Sequence, residues 1–300
     1  MSRPKLTERI KRGVFLLDGA MGTQLFARGI EPGLCNDWFN VESPDIVLEI
    51  HRAYFNAGSD AVLTNTFGAN RYALARHGHA DKAFEVNKAG AEVARKAAGE
   101  DRYVLGDIGP TGDFLEPLGS LRAEQVKDAF TEQVNALRQG GVDGLVIETM
   151  TALDELEAAI RAAKTAGGGL PVLASMSFDK GAVGFRTMMG VDIPTAVSKM
   201  LSLGVDAVGF NCGTAALGEY VDLSKAYVAA VQSAKWKTPV FAEPNAGKPE
   251  LVDGQAVYKV TPEEFAAACR KIVDAGICIL GGCCGTGPEH IHAVAQTLKR

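Results

Sequence analysis

The sequence lacks the long hydrophobic run and the secretory leader that would direct a chain into or across a membrane. Its uninterrupted apolar segments are only as long as single β-strands, whereas a membrane-spanning helix needs about 20 apolar residues. The N-terminal stretch MSRPKLTERIKRG carries positive charge, but the apolar segment that a signal peptide requires does not follow it. We therefore predict a cytoplasmic protein that does not bind membranes.

An excess of positive charge and a dense cysteine pattern are also missing. The chain has 31 basic and 36 acidic residues and a net charge of -5, which argues against a nucleic-acid-binding protein. Six cysteines in 300 residues are too few for a disulfide scaffold, so we expect reduced thiols. Hydrophobic residues make up 47% of the chain, which predicts a folded protein with a large core.

Glycine-rich nucleotide-binding motifs are absent as well. There is no P-loop, and DGAMGTQ at 18–24 does not match G-x-G-x-x-G, which disfavours an open doubly wound sheet, the main alternative fold. Instead, short apolar segments typical of buried parallel strands alternate with helical patterns. Eight such units without a composition break predict an α/β fold, a single (β/α)8 TIM barrel over residues 1–300. The predicted strands are 14–18, 61–65, 103–107, 144–148, 171–176, 207–212, 239–243 and 277–282.

The predicted helices lie between these strands and have apolar residues at helical spacing. Proline near their first positions and glycine at their ends support the boundaries. Two longer connections, 19–42 and 244–260, follow the first and seventh strands and are expected to be active-site loops. The predicted helices are 45–57, 71–98, 123–139, 153–166, 194–203, 220–234, 262–275 and 288–298.

Polar side chains follow nearly every predicted strand. Polar residues often end strands simply because loops contact water, but a (β/α)8 barrel collects these ends at one rim, where its active site lies. None of the five histidines lies at a strand end, so a Ser-His-Asp triad is not indicated. The strand-end residues are Asp18, Asn65, Asp107, Glu148, Ser177, Asn211, Cys212, Glu243, Asn245, Cys283 and Cys284.

Three of these residues are cysteines. Cys212 follows the sixth strand, and Cys283 and Cys284 follow the eighth, so their side chains are expected to converge on one ion. Three thiolates suit tetrahedral Zn²⁺ and leave a fourth position open, as in catalytic zinc sites. We expect Gly281, Gly282 and Gly285 to supply backbone angles that let two consecutive side chains turn to one side.

Other interpretations of the cysteines remain open. The glycine-rich turn is also typical of a phosphate site, but no Lys or Arg is near it and thiolates would repel phosphate. Cys269 and Cys278 are interpreted as small buried apolar residues, and the role of Cys35 is undecided. A metal-free redox or covalent nucleophile at Cys283 or Cys284 is a further alternative.

Two carboxylates, Asp18 and Glu148, are expected on opposite sides of the rim. They suit either a general acid/base pair or charge-assisted binding of a substrate ammonium group. We expect the backbone N–H groups of Gly19 and Ala20 to meet a substrate carboxylate, because glycine permits close approach. Together these residues point to an amino-acid substrate near a zinc ion.

Seven motifs together resemble the zinc-dependent homocysteine S-methyltransferase family, over essentially the whole chain. The resemblance is closest to the homocysteine-binding module of cobalamin-dependent methionine synthase, since TNTFGAN and GDIGPTG occur together. Betaine–homocysteine methyltransferases share the cysteines but differ around the second strand. The motifs are LLDGAMGTQL (16–25), TNTFGAN (64–70), GDIGPTG (106–112), ET (148–149), GFNC (209–212), EPNAGKP (243–249) and GGCCGTGPEH (281–290).

The resemblance implies an enzyme that methylates the sulfur of homocysteine to give methionine. It implies a (β/α)8 barrel with Zn²⁺ held by Cys212, Cys283 and Cys284, and with the homocysteine sulfur in the fourth position. Asp18 and Glu148 match family positions that contact the amino group of homocysteine. Asn245 matches a position that approaches zinc when substrate is absent.

The methyl donor is the point on which the sequence departs from methionine synthases. The chain ends after the eighth predicted helix and has no D-x-H-x-x-G cobalamin motif. We therefore expect a methyl-corrinoid donor that is a free molecule or is carried by a separate corrinoid protein, or else a chain that is an excised or split module. The segment 177–192 lacks the R-[ST]-L-[ST]-G pattern expected after the fifth strand, and its Met188-Met189 leaves donor choice open. The alternatives are a betaine or sulfonium donor, a different thiol acceptor, or a zinc- and homocysteine-binding module without its own turnover.

Overall fold

A computed structural model gives the fold of residues 3–252 and 255–298. Eight parallel strands form one sheet in the order β1-β8-β7-β6-β5-β4-β3-β2. The backbone N–H of Asp60 donates to the carbonyl of Leu16 at 2.7 Å, which joins β1 to the start of β2 and nearly closes the sheet. The strands are β1 Phe15–Leu16, β2 Ala61–Leu63, β3 Tyr103–Ile108, β4 Gly144–Met150, β5 Val172–Met176, β6 Ala207–Asn211, β7 Val240–Glu243 and β8 Ile279–Leu280.

Helices surround this sheet and confirm the predicted single (β/α)8 barrel. At least one helix follows each strand, and the last helix, α12, packs on both α11 and α4, which completes the ring. Short 3-10 turns occur at Ile10–Arg12, Asn36–Trp38 and Ala80–Lys82. The helices are α1 Leu6–Arg9, α2 Met21–Phe26, α3 Phe39–Glu42, α4 Pro44–Ala57, α5 Arg71–Ala75, α6 Ala83–Ala98, α7 Ala123–Gln139, α8 Leu153–Ala166, α9 Ile193–Ser202, α10 Leu217–Ser233, α11 Pro262–Asp274 and α12 Pro288–Leu298.

The predicted single helix over 71–98 is wrong in its middle. It divides into α5 and α6, with Gly78 between them at a φ of 77°. A residue in the left-handed region cannot continue a right-handed helix, and glycine adopts that region at little cost. The break moves α5 next to the C-terminal ends of the strands, where Arg76 and His77 reach a cavity.

The interior of the barrel is filled with side chains. Phe15, Leu105, Val146 and Phe241 belong to a fully buried cluster inside the sheet, and Leu6 of α1 packs on the same cluster. A filled barrel of this kind has no channel through it. Leu6 lies beside Gly144 at the start of β4, so α1 lies at the N-terminal ends of the strands. The C-terminal ends of the strands and the loops that follow them form the opposite end of the barrel.

Two hairpins extend from loops at that end. Asp179–Gly181 pairs with Gly184–Arg186 after β5, and Glu250–Val252 pairs with Gln255–Val257 after β7. Residues 253 and 254 of the second long loop lie outside the described residues. Among the residues described, no helix has the length and apolar character needed to cross a membrane.

Candidate active site

A cavity of about 390 Å³ opens at the C-terminal ends of the barrel strands. It contains most of the strand-end residues singled out from the sequence, and Cys35 of the first long loop also lines it. Ser177, Asn211 and Asn245 lie outside its lining. The strand-end residues and adjoining positions that line it are Asp18, Gly19, Ala20, Asn65, Asp107, Glu148, Cys212, Glu243, Cys283 and Cys284.

Three thiols meet at one side of this cavity. The sulfur of Cys284 lies 4.0 Å from that of Cys212 and 3.9 Å from that of Cys283, and all three sulfurs lie within 4.8 Å of one another. Cys269 is buried in α11 and Cys278 precedes β8, and neither belongs to this cluster. We call Cys212, Cys283 and Cys284 the thiol cluster.

The spacing of the thiol cluster fits a tetrahedral zinc ion. Four ligands at the usual Zn–S distance of about 2.3 Å would place neighbouring sulfurs about 3.8 Å apart. The two sulfur–sulfur distances of 3.9 and 4.0 Å agree with that requirement. Three protein ligands are also the number found in catalytic zinc sites, which keep one position for water or substrate.

The thiol protons of the cluster influence one another strongly. Hydrogen bonds from Cys212 and Cys283 lower the pKa of Cys284 to about 3. Hydrogen bonds with Cys212 and Cys284, followed by burial, raise the pKa of Cys283 well above its usual value. The cluster therefore loses a first proton readily and resists losing the others, because negative charges would then be crowded together. A cation among the sulfurs would relieve that repulsion.

Local backbone structure brings the two consecutive cysteines to one side. Of the three glycines around them, only Gly285 has a positive φ, at 79°. Gly281 and Gly282 are needed for close packing instead, since a Cβ at Gly282 would lie 2.6 Å from the Thr286 hydroxyl. The expectation of unusual backbone angles therefore applies to Gly285 and is wrong for the other two.

Four carboxyl groups surround the rest of the cavity: Asp18, Asp107, Glu148 and Glu243. Each is at most 8% exposed. Burial is the main reason why the pKa of each is raised, and in Glu148 the pKa reaches about 7. Carboxylates this close together and this dry are costly to ionise, so a cationic group bound between them is favoured.

The turn after β1 is held against the turn that carries the paired cysteines. The N–H of Ala20 donates to the Thr286 hydroxyl at 3.2 Å, and that hydroxyl donates to the carbonyl of Cys283 at 2.7 Å. The Tyr54 hydroxyl donates to the carbonyl of Ala20 at 3.0 Å. A Cβ at Gly19 would approach the Thr286 hydroxyl to 2.7 Å. The Ala20 N–H, expected to meet a substrate carboxylate, thus has a partner within the chain.

Asn245, which follows β7, is buried and bonds the residue after Cys212. Its Nδ2 donates to the carbonyl of Gly213 at 2.7 Å, which fixes the amide next to Cys212. Its Oδ1 is buried and has no hydrogen-bond partner among the described residues. A buried acceptor of this kind costs free energy unless a ligand or an ion meets it.

Several residues that shape the site could not be assigned a specific role from the sequence. Thr286 and Tyr54 connect the first and last strand-end turns, as described above. Asn211, taken from the sequence only as a strand-end residue, bonds the side chain of Glu148. His290 is buried, and its ring accepts from the Gly287 N–H at 3.1 Å. For Asn211, Thr286 and His290 the sequence signal is proximity to the cysteines, in GFNC and CCGTGPEH, whereas Tyr54 has no such signal.

The chain is similar to known proteins over nearly its whole length. A model of the family described as homocysteine S-methyltransferase matches residues 15–298. Methionine synthases of Mycobacterium leprae and Mycobacterium tuberculosis are each 37% identical over 98% of the chain. The chain spans 25% of the length of these two curated relatives.

Solved structures show the same fold. The metallated form of the homocysteine methyltransferase MmuM from Escherichia coli matches with a TM-score of 0.76 and 24% identity, covering 97% of this chain and 98% of that one. The apo form of the same protein matches with a TM-score of 0.73 over the same shares of both chains. At this identity the match establishes a common barrel.

Proposed function

The chain belongs to the homocysteine S-methyltransferase family, and we propose that it transfers a methyl group to the sulfur of homocysteine and so forms methionine. The observation that carries the proposal is the thiol cluster, whose three sulfurs lie within 4.8 Å of one another beside a carboxyl-lined cavity. A zinc site and an ammonium site at one barrel mouth match an aminothiol substrate.

In this proposal Cys212, Cys283 and Cys284 hold Zn²⁺. A bound zinc ion would supply the positive charge that keeps the substrate sulfur deprotonated and nucleophilic at neutral pH, where a free thiol with a pKa of about 8.5 is mostly protonated. Asn245 occupies the fourth position when substrate is absent. The support for that role is its buried Oδ1, which lacks a hydrogen-bond partner while Nδ2 is fixed.

The carboxylates orient the other end of the substrate. Asp18 and Glu148 bind the ammonium group, because both line the cavity with the thiol cluster and both are buried. The turn at Gly19 and Ala20 receives the substrate carboxylate, for which the Ala20 N–H must exchange its bond with Thr286. Binding of both charged groups would hold the sulfur at one position and exclude water from it.

The methyl donor in this proposal is a methyl-corrinoid carried by a separate protein or module. Support comes from the similarity to mycobacterial methionine synthases, of which the chain covers 25%. Because the barrel interior is filled, a donor of that size must approach at the rim. Residues 1–300 would then form one homocysteine-binding module. Six free cysteines suit a reducing compartment such as the cytoplasm.

A donor screen with purified, reduced, zinc-loaded protein and homocysteine tests the proposal. Methionine should form with methylcobalamin or a methylated corrinoid protein. If methionine formed only with betaine or a sulfonium donor, the proposed corrinoid donor would be wrong, and the proposed zinc and homocysteine sites would stand. Tight homocysteine binding without product from any donor would indicate a binding module, and turnover without metal would contradict the zinc assignment.

A further inference from the structure

Asn211 is the last residue of β6, and its side-chain amide makes all of its hydrogen bonds with other groups of the protein. Its Oδ1 accepts from the backbone N–H of Thr149 at 2.8 Å and from the Ser175 hydroxyl at 2.7 Å. Its Nδ2 donates to the Thr149 hydroxyl at 2.7 Å and to the carboxylate of Glu148. A primary amide offers two donor hydrogens and two acceptor lone pairs, so all four are used.

The orientation of this amide follows from one partner. A backbone N–H can only donate, so the atom facing Thr149 N must be the oxygen, and the amide nitrogen must face Glu148. A donor at this place favours the ionised carboxylate and fixes the direction of its Oε2 atom. Asn211 is only 1% exposed, so water does not compete for these bonds.

Asn211 also lies between two unusual backbone positions. Thr149 and Cys212 have φ values of 58° and 55°, in a region that β-branched residues such as threonine rarely adopt. The pairing of β4 with β5 changes register between Ile147 and Met150, where the Thr149 turn interrupts the strand. The amide of Asn211 bonds that turn, and its own backbone leads directly into the Cys212 turn.

The side chain of Asn211 thus connects two parts of the site across three strands. Glu148 and Thr149 belong to β4, Ser175 belongs to β5, and Cys212 follows β6. Ser175, which is fully buried on the middle strand, donates its hydroxyl to the Asn211 amide oxygen. A change in the amide would shift the carboxylate of Glu148 relative to the sulfur of Cys212.

We propose that Asn211 is a positioning residue that couples ammonium recognition at Glu148 to sulfur binding at the thiol cluster. This inference rests on the proposed function, in which the substrate carries both groups. Asn211 does not touch the substrate. It holds the carboxylate in place before the ligand arrives, so an aminothiol bound through sulfur presents its ammonium group to a partner that is already oriented.

The test compares two ligands that differ only in the ammonium group. Dissociation constants of homocysteine and of 4-mercaptobutyrate, which lacks the amino group, are measured with zinc-loaded protein. The wild-type protein should prefer homocysteine. In Asn211→Asp, an oxygen replaces the donor that faces Glu148, so homocysteine binding should weaken by roughly tenfold or more, with little change for 4-mercaptobutyrate. Asn211→Ser should act in the same direction.

Two further variants separate positioning from stability. Asn87→Ala removes another fully buried asparagine, which bonds backbone carbonyls in and beside α6 away from the cavity, and it should keep the wild-type preference. Ser175→Ala leaves Asn211 in place but removes one bond that orients its amide, so the preference should fall by a smaller factor. It provides the test if the Asn211 variants do not fold.

The outcomes separate the positioning role of Asn211 from the proposed function of the protein. Equal losses for both ligands, or an unchanged preference in the Asn211 and Ser175 variants, would overturn the positioning role while leaving the proposed function intact. No preference for homocysteine in the wild-type protein would instead contradict the ammonium site at Glu148, and the inference would fail with it.

Discussion

At the scale of single residues, chemically similar side chains have very different surroundings in this protein. Cys283 meets two other sulfurs at the cavity, whereas Cys269 is surrounded by apolar side chains in α11. Burial without a partner raises the pKa of Cys269 to a value at which it stays protonated. Reactivity and metal binding therefore depend on neighbours that are distant in sequence.

The first prediction concerns the thiol cluster. Cys283→Ala should lose the zinc ion, since two thiolates bind zinc less well than three, and metal analysis of reduced protein measures this directly. Cys278→Ala is the matched control because Cys278 lies just before β8 but outside the cluster. Full zinc retention by the Cys283 variant would remove this residue from the site.

The second prediction concerns Glu148. Glu148→Gln should weaken homocysteine binding by about 1.5–3 kcal/mol, or roughly ten- to a hundredfold, because a charge-assisted bond to the substrate ammonium becomes a neutral one. Zinc should stay bound, since Glu148 is not a member of the thiol cluster. Calorimetric titration gives the affinity. Normal affinity with a lower turnover at saturating homocysteine would assign Glu148 to proton transfer instead.

At the scale of elements, the buried residues of α4 include a histidine. His51 is fully buried, and neither ring nitrogen has a hydrogen-bond partner among the described residues. Burial lowers the pKa of His51 to about 3. The folded protein therefore holds this ring neutral where the unfolded chain would protonate it.

The third prediction follows from this difference in pKa. Below the unfolded pKa of about 6.5 the unfolded state binds the extra proton, so the free energy of unfolding falls as the pH falls. Between pH 6.5 and 4.5 the contribution of His51 is a loss of about 2 kcal/mol, because the slope is half of 1.36 kcal/mol per pH unit at pH 6.5 and approaches that full value only below it. Urea unfolding of metal-free protein over this range measures it.

Comparison of two variants isolates that contribution. His51→Leu should remove it and flatten the pH dependence relative to the wild-type protein. His292→Gln replaces an exposed histidine of α12 and should keep the wild-type slope. If the free energy of unfolding changed with pH in the same way in all three proteins, the prediction would be wrong, because His51 would then bind a proton equally well in the folded and unfolded states.

At the scale of the whole molecule, the thiol cluster connects strands far apart in the chain. Cys212 follows β6, and Cys283 and Cys284 follow β8, with β7 between them in the sheet. All six cysteines are free, so covalent cross-links do not stabilise the barrel. A metal bound by the cluster would join these strand ends in the folded state and would find no such site in the unfolded chain.

The fourth prediction is that zinc removal lowers the stability of the whole barrel. A ligand that binds only the folded state stabilises it by about 4.1 kcal/mol at a free concentration of 1,000 times its Kd. The unfolding temperature should fall on chelation and return when zinc is added. The Cys283→Ala protein should not respond to either treatment, and an equal response there would show that zinc acts elsewhere.

Much of the fold and of the candidate site was predictable from local patterns. Alternating apolar segments and amphipathic helices specify eight strand–helix units, because strand and helix periodicities are properties of neighbouring residues. Polar residues after those strands identify the rim, and Cys212 with Cys283-Cys284 identifies a metal-binding candidate. These features depend on residue type and order along the chain.

Tertiary structure alone decided the features that depend on distance. The bonds of Asn211 to Glu148 and Ser175, the contact of Thr286 with the Gly19–Ala20 turn, and the close packing that requires Gly281 and Gly282 join residues up to hundreds of positions apart. The same holds for the raised pKa values of the carboxyl groups, which arise from burial by many chain segments. Burial and hydrogen-bond geometry depend on the packing of the whole barrel, and local sequence patterns therefore do not predict them.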